Sequence, residues 1–304
     1  MMVRLSLLVA SFGMAFLTSC GNNDVPKESS EKSNGTILML LGSKIPYWDQ
    51  IYRGAKEVGD QENYKIMTVY RDADTVNTTV LKTLSGISDI PNLKGIIMMP
   101  SDKAIENMIV LTGTKVPIVV VDQQLHENSP LQTTVRTTVV ADNDKIGKEI
   151  GEQIKENKVL TLCYAIGGSY DRSMAIQRSL GKNRVDVLIV NDANEAKDSI
   201  EKYVSQHQDE NFAVAFATGS FVNEESMALL KGKSVYAVDM NEPIQDGIRN
   251  GDIIFTAIPN TFEMGAMALN SVISKTPGVS LQIVSVVYAN SNNINTDEIQ
   301  AFTK

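Results

Sequence analysis

A chain of 304 residues, 43% hydrophobic and 21% charged, is long enough for two compact domains, each with a core of its own. Its net charge of -8 and pI near 5.0 argue against a nucleic-acid partner, which requires a clustered basic surface. With two cysteines, Cys20 and Cys163, it is no disulfide-stapled scaffold.

The first segment is a targeting signal rather than part of a fold. Arg4 precedes the apolar run Leu5 to Phe16, which is too short for an ordinary membrane span and is followed by Leu17-Thr18-Ser19-Cys20-Gly21. These last residues resemble the lipobox of bacterial lipoproteins. Residues 1–19 are thus expected to be a signal peptide, with Cys20 as the lipidated first residue of the mature chain; a plain signal peptide with an incidental cysteine is the alternative. Residues 20–35 are polar and aperiodic and read as a tether. Cys163 is then alone in the apolar run Val159 to Ile166 and reads as a small core residue, without an intrachain disulfide partner.

Strand, loop and helix signals follow from Thr36 to Ala55. The run Ile37 to Leu41 breaks at Gly42-Ser43, and Pro46 opens a helix whose start carries Tyr47 and Trp48, the single tryptophan. In an open α/β sheet this loop lies in the crevice beyond the strand ends. Taken by itself, the aromatic pair is read as a core anchor at least as readily as a ligand contact. Apolar runs at 65–70, 95–99 and 116–121 predict three more strands, with helices at 75–87 and 104–112 between them. Such near-continuous apolar runs fit parallel strands buried on both faces. The fourth run ends at Asp122-Gln123.

A second cycle repeats the cadence. Residues 137–141 lead through Asp142-Asn143 into a helix at 145–155, and runs at 159–166, 186–190, 212–217 and 234–238 alternate with helices, one of them at 172–180. A strand at 253–258, a helix at 262–274 and a strand at 281–288 remain, employed only if the chain returns to the first lobe. The expected fold class is α/β: two Rossmann-like lobes, each a parallel sheet flanked by helices, joined by a multi-strand hinge. The first lobe takes residues 36–140 and 261–287, the second 141–260 and 288–304.

From about Thr36 to Ile299 the chain resembles the type I periplasmic binding proteins, namely the ribose and galactose binders and the effector domains of lactose-repressor-type regulators. The resemblance rests on Ile45-Pro46-Tyr47-Trp48 with Gly54, Gly95-Ile96-Ile97 through Pro100, Pro117 to Asp122, Asp142-Asn143 with Gly147, Gly167 with Arg172, Val238-Asp239, Gly247 to Gly251 leading to Thr256, and Met264-Gly265. It implies two lobes that close over a small hydroxylated ligand. An aromatic at Tyr47 or Trp48 stacks on a sugar face, Asp122 and Asp239 accept from hydroxyls, and Arg172 donates from the facing lobe. Gln123, Asn143, Gly219 and Asn260 complete the expected binding set. Capping or hinge bonding is the plainer reading of the two aspartates, and a solvated helix residue that of Arg172. Four positions depart from the sugar binders' pattern: Ile45 replaces a polar amide, Gln123 an arginine, Thr218-Gly219-Ser220 an Asn-Asp pair, and Pro259 with Asn260 a glutamine. These changes argue against ribose itself as the ligand.

The expected function is a lipid-anchored solute-binding protein, facing the periplasm or the outer surface, monomeric and without a cofactor, that serves an ABC-type importer for a monosaccharide or sugar derivative. Presentation of the sugar to a membrane histidine kinase is the alternative. An enzyme is the more distant one: Asp72-Ala73-Asp74 matches the D-x-D metal pattern of glycosyltransferases, but also reads as loop carboxylates capping a helix. His126 and His207 lack neighbours at zinc spacing, and no phosphate loop or nucleophile motif occurs. A DNA-binding role fails because signal and tether stand where the regulators carry their helix-turn-helix.

Overall fold

The computed structural model describes residues 33–71, 77–100, 103–276 and 280–302. The signal segment, most of the tether, Cys20, Asp72 and Asp74 lie outside these described residues.

Elements alternate from the start: β1 (Gly35–Leu41), α1 (Pro46–Gln61), β2 (Tyr64–Tyr70), α2 (Thr78–Ser85), β3 (Leu93–Met98), α3 (Lys103–Leu111), β4 (Ile118–Val121) and β5 (Val135–Ala141). The second cycle is α4 (Asn143–Gln153), β6 (Lys158–Cys163), α5 (Gly168–Leu180), β7 (Val185–Ile189), α6 (Ala193–Gln206), β8 (Phe212–Phe216), α7 (Glu224–Leu229), β9 (Ser234–Val238), α8 (Glu242–Asn250) and β10 (Phe255–Pro259). The tail adds α9 (Thr261–Ile273), β11 (Leu281–Val284), β12 (Val286–Ala289) and α10 (Asp297–Ala301). Two six-stranded sheets result, ordered β2-β1-β3-β4-β5-β11 and β7-β6-β8-β9-β10-β12. Nine of the ten strand pairings are parallel; the exception is β10 with β12. All seven residues of β1 and all five of β8 are buried, as strands covered by helices on both faces require. No helix among the described residues is long and apolar enough to cross a membrane.

The two lobes are built on one plan, down to the residues that leave their strands. Asp122 follows β4 and Asp239 follows β9; both have left-handed backbone, φ +74° and +75°. Their amides donate to equivalent carbonyls, Val139 and Ala257, each at 2.9 Å. Asp142 after β5 and Asn260 after β10 share φ/ψ near -76°/82° and cap the next helix, accepting from the Lys145 and Glu263 amides at 3.0 Å. Asp and Asn are the non-glycine residues that tolerate left-handed backbone and cap helices best.

Each capped helix then crosses to the opposite lobe. The helix α9 buries Met264, Ala268, Leu269 and Val272 with the β1 residues Ile37, Met39 and Leu41. It lies so close to α1 that a methyl on Gly54 would sit 1.9 Å from the Phe262 carbonyl oxygen, and one on Gly265 1.8 Å from that of Ile51. The pair α4 and α5 repeats the contact at Gly147, 2.4 Å from the Arg172 carbonyl.

The expected single strand over 281–288 is two strands in different sheets. The break is Ser285, whose amide and hydroxyl both donate to Glu263 Oε2, at 2.9 and 2.5 Å, while its carbonyl accepts from the Asn260 amide at 2.9 Å. Those bonds take the place of a ladder, and the chain passes between sheets there as it does at 141–143 and 259–261.

Candidate functional site: an inter-lobe cleft

The two left-handed aspartates end strands of different sheets, Asp122 after β4 and Asp239 after β9, and lie within electrostatic reach of each other where the lobes meet. Asp239 is held firmly. Its Oδ2 accepts from the Gly219 amide at 2.8 Å, Thr256 Oγ1 donates to its carbonyl at 2.9 Å, and Asn241 Nδ2 fixes the Gly219 carbonyl at 2.8 Å. Asp239 Oδ1, buried, has no partner among the described residues. A carboxylate oxygen in that position is set to receive a donor from outside the chain, since leaving it unmet carries a desolvation penalty.

On the first lobe, Asp122 accepts a short hydrogen bond at Oδ1 from the Tyr47 hydroxyl. Burial pushes the Asp122 carboxyl above the usual carboxylate range, against the opposing pull of Tyr47 and Arg172, and nearby Asp239 adds to the rise. Burial also holds the Tyr47 phenol well above its ordinary value, with Asp122 and Asp239 reinforcing it and Arg172 opposing. Both residues are half-buried.

Arg172, on α5, is 4% exposed. Its Nε donates to Asn143 Oδ1 at 2.8 Å and its Nη1 to the Ala217 carbonyl at 3.0 Å, both uncharged partners. Its charge therefore acts through space on Tyr47 and Asp122. The solvated-helix alternative for Arg172 does not describe a side chain this buried.

The expected residues divide into distinct roles. Tyr47, Asp122, Arg172 and Asp239 come together; Asn143 and Gly219 stand behind them as partners of Arg172 and Asp239. Trp48 is 7% exposed and packs over Gly42, where a methyl would lie 2.2 Å from the indole Nε1, so the core-anchor reading fits Trp48. Asn260 spends its amide on the α9 cap and, through Nδ2, on Ser285 Oγ at 3.2 Å, which is hinge bonding. Gln123 donates to the Pro100 carbonyl and leans across to Gly167 of the second lobe. Tyr164 escaped the sequence reading. It packs on Phe221 with ring centroids 4.7 Å apart, and its hydroxyl, raised by burial, interacts with Ser220 and lies within the electrostatic reach of Asp239. An aromatic directly after the apolar run of β6 is the signal that marks it.

Gly167 of the second lobe lies against Gln123 of the first. Its backbone, at φ +83° and ψ -166°, is open only to glycine, and a methyl would fall 2.0 Å from Gln123 Oε1. Gly167→Ala is expected to lower the urea-unfolding free energy by about 1–2 kcal/mol from backbone strain alone. Adding Gln123→Ala should not restore it; full restoration would mean that the side-chain clash, not the backbone, is the cause. A groove of about 310 Å³ runs beside the site, lined by Gln124, Asp142, Asn143 and Asp171, and one of about 450 Å³ lies at Glu224 to Lys233; neither is lined by Tyr47, Asp122 or Asp239.

No protein-family model and no curated protein matches the sequence. Solved structures do match the fold. A solute-binding protein of an ABC transporter from Agrobacterium vitis, bound to α-D-tagatopyranose, superposes with a TM-score of 0.76 at 15% identity over 88% of this chain and 98% of its own. A second from the same organism, with D-fucose, gives 0.73 at 16% over 88% and 99%. A carbohydrate transporter solute-binding protein from Agrobacterium radiobacter, with D-arabinose, gives 0.73 at 14% over 90% and 100%. The fold is that of the type I periplasmic binding proteins. Where the two lobes meet, this chain brings together two carboxylates, one guanidinium and a phenol.

Proposed function

We propose that the chain is the solute receptor of an ABC-type sugar importer, closing its lobes over a neutral monosaccharide or close derivative without carrying out catalysis. The observation that carries this reading is the pair Asp122 and Asp239, which end strands of the two sheets with the same left-handed φ and within electrostatic reach of each other, with Asp239 Oδ1 buried and without a partner among the described residues. Sugars offer many hydroxyl donors on a compact frame, and carboxylates are the strongest neutral-pH acceptors for them. That the neighbours in fold were crystallised with tagatose, fucose and arabinose supports the same ligand class. Two carboxylates against one guanidinium disfavour an anionic sugar. The domain is read as residues 36–140 with 261–287 and 141–260 with 288–304, a monomer tethered through lipid on Cys20 to the cell envelope and facing the periplasm or the outer surface. Its partners are the ligand and a membrane permease.

A thermal-shift screen of D-ribose, D-arabinose, D-galactose, D-fucose, D-tagatose, sugar acids, polyols and nucleosides tests it. A ligand at one hundred times its Kd should add about 2.7 kcal/mol to stability. A rise in Tm with at least one neutral sugar is expected, and no rise with any of them ends the reading. For the anchor, Cys20→Ser should move the protein from the membrane fraction to the soluble one.

A further inference from the structure

Asp122 has a side-chain donor at Oδ1, whereas Asp239 is met only at Oδ2, by a backbone amide. Tyr47 and Trp48 are neighbours at the start of α1 and meet edge to face, ring centroids 5.1 Å apart at 79°. Neighbours on a helix point about 100° apart, so the two rings take different surroundings, Trp48 buried in the core and Tyr47 half-buried against it. Trp48 is locked over Gly42, whereas Tyr47 keeps an open flank and sends its hydroxyl to Asp122 Oδ1. There its phenol also falls within the electrostatic reach of Asp239 and Arg172, and so stands among all three charged groups of the cleft. A phenol is a flat apolar ring bearing one O–H donor, which is the kind of contact a sugar hydroxyl makes.

We propose that Tyr47 is a built-in stand-in for the ligand: its hydroxyl occupies Asp122 in the ligand-free protein and is displaced by a ligand hydroxyl on binding. The inference rests on the sugar-binding reading above and adds a selection rule to it. A molecule enters only if it brings a donor able to replace the phenol on Asp122. Molecules that offer acceptors alone have nothing to exchange. Once released, the ring remains at the cleft and can lie against the apolar face of the sugar. Trp48, the single tryptophan, touches that ring and makes the exchange visible in emission.

The test compares wild type with Tyr47→Phe by calorimetry and Trp48 fluorescence against D-ribose, D-arabinose, D-galactose, D-fucose and D-tagatose. Tyr47→Phe removes the competing donor and keeps the ring, so the sugar bound by wild type should bind about five-fold tighter. Binding to wild type should also change Trp48 emission. Equal or weaker binding by Tyr47→Phe overturns the proposal and leaves the sugar-binding reading standing. So does calorimetric binding to wild type with no change in Trp48 emission, a readout that holds even if the variant fails to fold. If none of the five sugars binds either protein, the sugar-binding reading falls and the stand-in falls with it.

Discussion

Gly54→Ala should destabilise the protein by about 3 kcal/mol, seen as a fall in Tm of roughly 6–12 °C. The added methyl would lie 1.9 Å from the carbonyl oxygen of Phe262 and 3.1 Å from the Ala266 amide nitrogen. Both neighbours are backbone, so no side chain can turn away. The helices α1 and α9 must part instead, and α9 is bound at its start to the hinge through Asn260 and along its length to the core of the first lobe. Separation opens space around Ile51, Ala55 and Met264, all fully buried, so a cavity term adds to the strain. Gly86→Ala is the control. There the nearest atom is 3.7 Å away and φ is negative, so a change below about 1 kcal/mol is expected. A loss at Gly54 no larger than at Gly86 would show that the two helices are not in rigid contact.

Asp239→Asn should weaken binding of the sugar found by thermal shift about 10- to 100-fold, the range set by loss of charge-assisted hydrogen bonds. The variant keeps shape and left-handed tolerance, and its amide oxygen can still accept from Gly219; what it loses is the charge at the unpartnered oxygen. An affinity within two-fold of wild type would remove Asp239 from the site. Asp122→Asn should weaken binding too, but with an opposite effect on the ligand-free protein. Because burial raises the folded-state value of Asp122, the stability associated with its protonated form is present at low pH and lost as pH rises through that raised value. The asparagine variant, which cannot ionise, should therefore be the more stable protein at pH 7. That advantage should shrink as pH falls through the raised folded value and vanish below the usual carboxylate range. Urea midpoints at several pH values read it directly, and a gap that widens on acidification would mean that Tyr47 and Arg172, not burial, dominate Asp122.

How far the site can be read from residues alone depends on whether the signal is local. The strands are legible because double-sided burial leaves unbroken apolar runs, as in Ile37 to Leu41 and Phe212 to Phe216. Asp122 and Asp239 stand out because each ends an apolar run, but nothing local separates a ligand contact there from a cap or a hinge bond. The division between Tyr47 and Trp48 is not, since two adjacent aromatics look equivalent until the helix is placed against Gly42. Asn260 has the composition of a ligand contact but sits at a crossing between lobes, where its amide serves the hinge. The break at Ser285 is hidden inside an apolar run that reads as one strand, because the bonds that split it come from Glu263 and Asn260, more than twenty residues earlier. The shared plan of the lobes lies in backbone angles at equivalent strand ends, and no sequence repeat records it.

The three passages between sheets also govern when this chain can fold. The first lobe lacks its central helix until residues 261–273 exist and its last strand until 281–284, although its first strand lies near residue 35. The strand β1 waits for a helix more than two hundred residues later, and β5 for the edge strand β11, whose Leu281 pairs with Thr138; contacts this distant in sequence favour slow assembly. Both sheets are thus completed only by the last strands of the chain, β11 and β12.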